Sequence, residues 1–133
     1  MDFEALLKQL PAEDQAEILK AASEWMDSEK MEKGQTKFMS FVHSMWPGFV
    51  DGRHHKVMAE KFEEIAQGKT KRLIINMPPR HTKSEFASYL LPAWFLGKFP
   101  NKKIIQCSNT AELAVGFGRK VRNLVDSEVY SKI

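Results

Sequence analysis

The chain has a single cysteine, Cys107, in 133 residues. An internal disulfide is therefore excluded, and the composition suits a reducing compartment. No apolar run approaches the ~20 residues that a membrane span needs, so no membrane partner is expected. The four histidines and one cysteine show no zinc-ligand spacing. The start, Met1-Asp2-Phe3-Glu4, is acidic where a secretory signal would be basic. These absences lead to the expectation of a cytoplasmic protein. Carboxylates are scarce where strand-borne acid chemistry would need them. After Glu85, the acids Glu112, Asp126 and Glu128 all fall on helix-like segments rather than behind an apolar strand.

What is present is unevenly charged. The formal net charge is +3, but residues 1–32 hold nine acids and three bases, while 33–133 hold eight acids and seventeen bases. A basic body over most of the chain suggests a polyanionic partner, with Lys98, Lys102, Lys103, Arg119, Lys120 and Arg122 as candidate phosphate contacts. The length fits one domain.

The most informative stretch is Met77-Pro78-Pro79-Arg80-His81-Thr82-Lys83-Ser84. It follows the apolar run Leu73-Ile74-Ile75 and precedes a helix-like run beginning at Glu85. A phosphate-binding loop of the pattern G-x-x-x-x-G-K-[ST] has this order of strand, loop and helix. Lys83 and Ser84 match the pattern, and Met77 and Thr82 stand where its glycines would be. The chemistry needs backbone N–H groups aimed at an anion from a helix N-terminus, a lysine for the outer phosphates and a hydroxyl for magnesium. Pro78 and Pro79 have no N–H and a fixed φ, so they stiffen the entry. Pro79, Arg80, His81, Thr82, Lys83 and Ser84 become the candidate nucleotide-binding residues. Positive φ is costly for threonine, so Thr82 is expected to enter the helix with negative φ.

The segment Pro78-Pro79-Arg80-His81-Thr82-Lys83-Ser84 resembles the loop of tailed-phage terminase large subunits, the DNA-packaging ATPases, in which glycine is commoner at the position of Thr82. Trp46-Pro47, His54-His55-Lys56 and Asn109-Thr110-Ala111-Glu112-Leu113-Ala114 resemble the same family, so the likeness covers roughly residues 38–133. The resemblance implies ATP and Mg2+ as cofactors, with Lys83 and Arg80 as catalytic residues and Ser84 as the magnesium ligand. It implies double-stranded DNA, a portal and a small terminase subunit as partners, a homo-oligomer when assembled, and the host cytoplasm as the place of action. It also implies a nuclease domain that these residues do not contain.

Along the rest of the chain, Phe3, Leu6, Leu7 and Leu10 are spaced as one face of a short helix. Pro11 suits the first position of a new helix, with Ile18, Leu19, Ala22, Trp25 and Met26 on one face and Gly34 as its end. This acidic hairpin is expected to cap its own domain. The apolar cluster Phe38 to Phe49 reads as core. Asp51 is the expected N-cap of a helix over 52–67, with His54 or His55 in its first turn as candidate readers of adenine. Strands are expected at 72–76 and 103–108, with a helix between them that Pro92 should kink or end near Leu91. A further helix follows Thr110.

The expected fold is α/β: an incomplete P-loop NTPase domain with two parallel strands in a βαβ unit, preceded by a helical region. The division falls at 1–50 and 51–133, with the chain ending before the acidic strand end of a Walker B motif. The functional expectation is the front part of an ATP-driven DNA-packaging motor, with little turnover by these residues alone. Another nucleic-acid-dependent ATPase and a non-catalytic nucleotide-binding module are the alternatives.

Overall fold

The computed structural model describes residues 10–133. The expected short helix over 3–10 lies almost wholly outside them. Six α-helices follow in order: α1 Ala12–Thr36, α2 Phe38–Met45, α3 Arg53–Ala66, α4 Leu91–Lys98, α5 Ala111–Val125 and α6 Glu128–Ser131. A π-helical segment, Glu85–Leu90, runs directly into α4.

The α/β expectation is overturned. Among the described residues there is no strand, and so no βαβ unit. The described fold is all-helical, with extended connections at 72–78 and 102–108. The first of these has the alternation of a strand: Leu73, Ile75 and Met77 pack against the core while Ile74 is 86 % exposed. Period-2 patterning fixes an extended backbone and says nothing of a partner for its N–H and C=O groups. The second connection is nearly all exposed, with Ile105 at 88 %.

The core forms where helices meet around Phe38. Its ring makes edge contacts with Phe62 at 5.1 Å, Phe86 at 5.6 Å and Trp94 at 5.5 Å, and lies 6.5 Å from Phe41. T-shaped pairs suit the aromatic quadrupole and add to the burial of apolar area. Val42, Met58, Ala59, Leu90, Ala93 and Val121 complete the buried set. The expected aromatic core is therefore present.

Gly34 does not end α1. The helix continues to Thr36 and breaks at Lys37, whose backbone is extended. Gly34 is buried, Ile133 lies against it, and the Trp94 indole Nε1 donates to its carbonyl at 3.1 Å. A glycine here permits a close approach rather than a turn. The earlier part of α1 stands away from the core. Ile18, Leu19, Trp25 and Met26 are all exposed, Trp25 by 67 %, so this face does not cap the domain as expected.

Pro92 does not end the helical run, which changes from π to α between Leu90 and Leu91, next to the proline. A proline withholds the N–H that would bond the carbonyl four residues before it. In α register that carbonyl is Ser88 O, and the Gln106 side-chain amide donates to it at 2.6 Å, while the Leu91 N–H just before the proline bonds five residues back, to Phe86 O. The π segment absorbs the rest of the disturbance, and π turns inside helices are a common way of doing so. Gln106 also fastens the 102–108 connection beside the helix.

Candidate functional site

The loop and the first turn of α3 are brought together by one histidine. α3 is capped by Gly52, not by Asp51 as expected. The Asp51 carboxylate instead pairs with Lys56 at 3.3 Å and faces His43 at 3.7 Å; the hydrogen bond from Lys56 holds its pKa below the ordinary carboxylate value. Glycine has no capping side chain, so the third helical residue supplies the side-chain interaction. The Gly52 N–H donates to His55 Nδ1 at 2.9 Å.

That bond fixes the tautomer of His55. Nδ1 must present a lone pair, so the proton sits on Nε2. His55 Nε2 lies 2.6 Å from the Thr82 hydroxyl and therefore donates to it. The Thr82 hydroxyl in turn donates to the His81 carbonyl at 2.7 Å. The His55 ring is only 6 % exposed and packs between Phe49 at 4.9 Å and Phe86 at 4.8 Å. Burial, then the neighbouring His54, pushes its pKa below the ordinary histidine value, and a neutral ring is what both hydrogen bonds need.

The loop itself is left-handed at two residues. Arg80 has φ 65° and Thr82 has φ 54°. The expectation of a negative φ at Thr82 is thus corrected: threonine occupies the backbone region that glycine usually fills, and its hydroxyl is held on both sides there. Left-handed residues on either side of His81 are the kind of backbone from which anion-binding nests are built. Among the described residues, no backbone hydrogen bond from the N–H groups of 80–84 to another part of the chain is found. The helix begins at once, with residues 83 and 84 helical and the Phe86 N–H donating to the Thr82 carbonyl at 2.9 Å. Its dipole adds positive potential at the same place.

The Lys83 ammonium folds back over the loop and donates to the Met77 carbonyl at 3.3 Å. Ser84 is exposed in the first turn. His81 is exposed, its Nδ1 2.9 Å from the Pro79 carbonyl. Arg80 is exposed and takes part in none of the ion pairs found among the described residues. Glu85 is drawn away by Lys120, at 2.8 Å. Beside the loop, a groove of about 570 Å³ is lined by His54, Val57, Met58 and residues 73–77, with Arg53 and Lys61 also on its wall. Among the described residues, the buried His54 Nε2 has no hydrogen-bond partner. The two histidines thus separate: His55 is committed to Gly52 and Thr82, and His54 faces the groove.

Of the six candidate phosphate contacts, three are already engaged, Arg122 by donating to the Asn123 side-chain oxygen at 3.0 Å. Lys120 pairs with Glu85, and the Lys98 ammonium lies 5.1 Å from the centre of the Trp94 ring. Lys102, Lys103, Arg119 and Arg122 are exposed. The late acids sit where the sequence places them, Glu112 in the first turn of α5, Asp126 at its end and Glu128 in α6.

Comparison of the chain with protein-family models, curated proteins and solved structures finds no match, so the reading of this site rests on its own residues. No group of three or more His, Cys, Asp or Glu able to hold a metal is found among the described residues, and no described helix is long and apolar enough to cross a membrane.

Proposed function

We propose that the loop 78–84 binds the phosphates of ATP, and that the chain is the front part of an ATP-driven DNA-packaging motor of the terminase large-subunit type. The observation that carries the phosphate site is the left-handed geometry at Arg80 and Thr82, which joins a row of free N–H groups to a helix start and a lysine. The terminase reading is supported by the likeness of the loop and its flanks, and by the basic body of the chain.

In this reading the N–H groups of 80–84 cradle the phosphates, and Lys83 leaves the Met77 carbonyl for the β- and γ-oxygens. Ser84 fits the single protein ligand that a nucleotide-bound magnesium takes, the rest being phosphate and water. Arg80, in no ion pair among the described residues, offsets charge on the γ-phosphate. The apolar groove beside the loop takes the base, with the His54 ring on its wall. His55 is no longer a candidate for contact with the base, because both its ring nitrogens are occupied.

The carboxylates set the limit on turnover. Glu85 adjoins the loop and is paired with Lys120, and the later acids lie on α5 and α6. Aligning an attacking water is therefore not supplied by an evident acid, and positioning is most of what phosphoryl transfer needs. Binding without appreciable hydrolysis is expected of residues 1–133. A nucleotide-binding module without turnover remains the second reading, favoured by that same engaged Glu85.

Titration of the chain with ATP and magnesium by calorimetry tests the proposal. Binding is expected in the wild type and is lost in Lys83→Ala. Equal affinity in the two proteins would remove Lys83, and with it the loop, from the nucleotide site.

A further inference from the structure

We infer that His55 is a positioning residue for the phosphate loop: through the Thr82 hydroxyl it holds the loop's second left-handed residue in the conformation that frees the loop N–H groups for an anion. The inference rests on the nucleotide-binding reading above for its ligand, though not for its geometry.

The argument begins with a cost. A threonine at positive φ is disfavoured by on the order of 1–2 kcal/mol relative to its ordinary conformations, and strain of this kind persists only where surrounding contacts over-determine it. Two contacts meet at Thr82 Oγ1: it accepts from His55 Nε2 at 2.6 Å and donates to the His81 carbonyl at 2.7 Å. The second is local and moves with the loop. The first reaches 27 residues back to α3, which is anchored in the core by Met58, Ala59 and Phe62. His55 is thus the only one of the two that ties the loop's shape to a fixed element.

The histidine is itself held. Its Nδ1 accepts from the Gly52 N–H and its faces are closed by Phe49 and Phe86. Phe86 lies two residues after Ser84 and is fully buried, so the ring stands on the same helix that begins the phosphate site. A chain of hydrogen bonds runs in one direction from the α3 cap to the loop: Gly52 N–H to His55, His55 to Thr82, Thr82 to the His81 carbonyl. A glycine at position 82 would adopt positive φ without help. With threonine, the hydroxyl gives the loop a handle, and His55 is what grips it. The dependence of the loop on His55 is therefore a property of having threonine there.

The test is a double-mutant cycle between positions 55 and 82. It is read by ATP affinity with magnesium and by the NMR backbone chemical shifts of residue 82, which report the sign of φ. His55→Phe keeps an aromatic ring between Phe49 and Phe86 and removes both bonds. It is expected to weaken ATP binding about tenfold, the scale of one hydrogen bond's preorganisation. Thr82→Val, a change at a half-buried loop position that replaces the hydroxyl with a methyl, is expected to give a similar loss and covers the case in which His55→Phe does not fold. Thr82→Ser, which keeps the hydroxyl, should retain the sensitivity to His55. In a Thr82→Gly background the effect of His55→Phe should fall below about twofold, since glycine needs no handle. An equal loss in the threonine and glycine backgrounds would show that His55 acts by packing alone, and would overturn the inference. If the wild type binds no ATP, the nucleotide reading fails and the NMR arm still decides. A shift of residue 82 to negative φ in His55→Phe or Thr82→Val supports the positioning role, and unchanged shifts in both overturn it.

Discussion

The Tyr130 hydroxyl donates to the Ala93 carbonyl at 2.8 Å and lies where a side chain on Gly97, one turn further along α4, would have to go. A Cβ added to Gly97 would meet Tyr130 Oη at 2.6 Å. The pair seats α6 on α4, with burial raising the pKa of the phenol and so keeping it a donor. Gly97→Ala should lower stability by about 1–3 kcal/mol, the usual scale of overpacking, despite alanine's better helix propensity. In a Tyr130→Phe background the obstructing oxygen is gone and the same change should be neutral or stabilising. Urea midpoints of the four proteins check this; a Gly97→Ala cost that persists without the hydroxyl would refute the account.

Gln106 and Pro92 should show the same kind of coupling. Gln106→Ala leaves the Ser88 carbonyl without its side-chain donor and should cost about 0.5–1.5 kcal/mol. Pro92→Ala restores a backbone N–H four residues after Ser88, so in that background the cost of Gln106→Ala should shrink toward zero. Equal costs in both backgrounds would mean that Gln106 only packs.

Stability should fall as pH drops below about the ordinary histidine value of 6.5. His55 has a lowered pKa in the fold, first because it is buried and then because His54 and His81 oppose a second positive charge; Asp51 partly offsets this. The unfolded chain therefore takes up this proton at higher pH than the folded chain does. The contribution is whole above pH 6.5 and is lost as pH falls through that value toward the lower folded one. Denaturant midpoints at pH 7.5 and 5.5 measure it, and His55→Phe should lessen the difference. A difference unchanged in His55→Phe would assign it to other groups.

Much of this was legible in the residues, and the failures have a common cause. The aromatic run from Phe38 announced a core, and Lys83-Ser84 at a helix start announced the loop. Leu73, Ile74 and Ile75 correctly implied an extended backbone with alternating faces. They did not carry the identity of a ladder partner, which is a non-local matter. Asp51 looked the better cap than Gly52, because a cap residue is normally judged by its own side chain; here the side chain came from His55, three residues later. Gly34 looked like a stop, yet glycine serves equally where an indole must reach a helix carbonyl. Thr82 was judged by intrinsic preference, and the tertiary bond to His55 overrode it. The nearest sequence signal was a histidine three residues after a glycine cap, followed later by a hydroxyl in a glycine position.

Binding to duplex DNA should be electrostatic and unequal among the candidate cations. Each phosphate contact adds roughly 0.9 to the slope of log affinity against log salt. Lys102→Ala and Lys103→Ala should each reduce that slope by about this amount. Lys120→Ala should do less, because Glu85 already neutralises it. Affinity that is indifferent to salt would count against the whole surface.

The Trp94–Gly34 hydrogen bond also gives the chain a built-in optical probe. Trp94 is 3 % exposed and its indole N–H is held by a carbonyl, whereas Trp25 and Trp46 are open to solvent. A soluble collisional quencher should therefore darken two of the three indoles and leave a blue-shifted residue of emission from the third. That protected fraction reports on the seating of α4 against α1, through Gly34, and against α2, through Phe38. Its disappearance would signal the separation of those helices even if the helical content of the chain were unchanged.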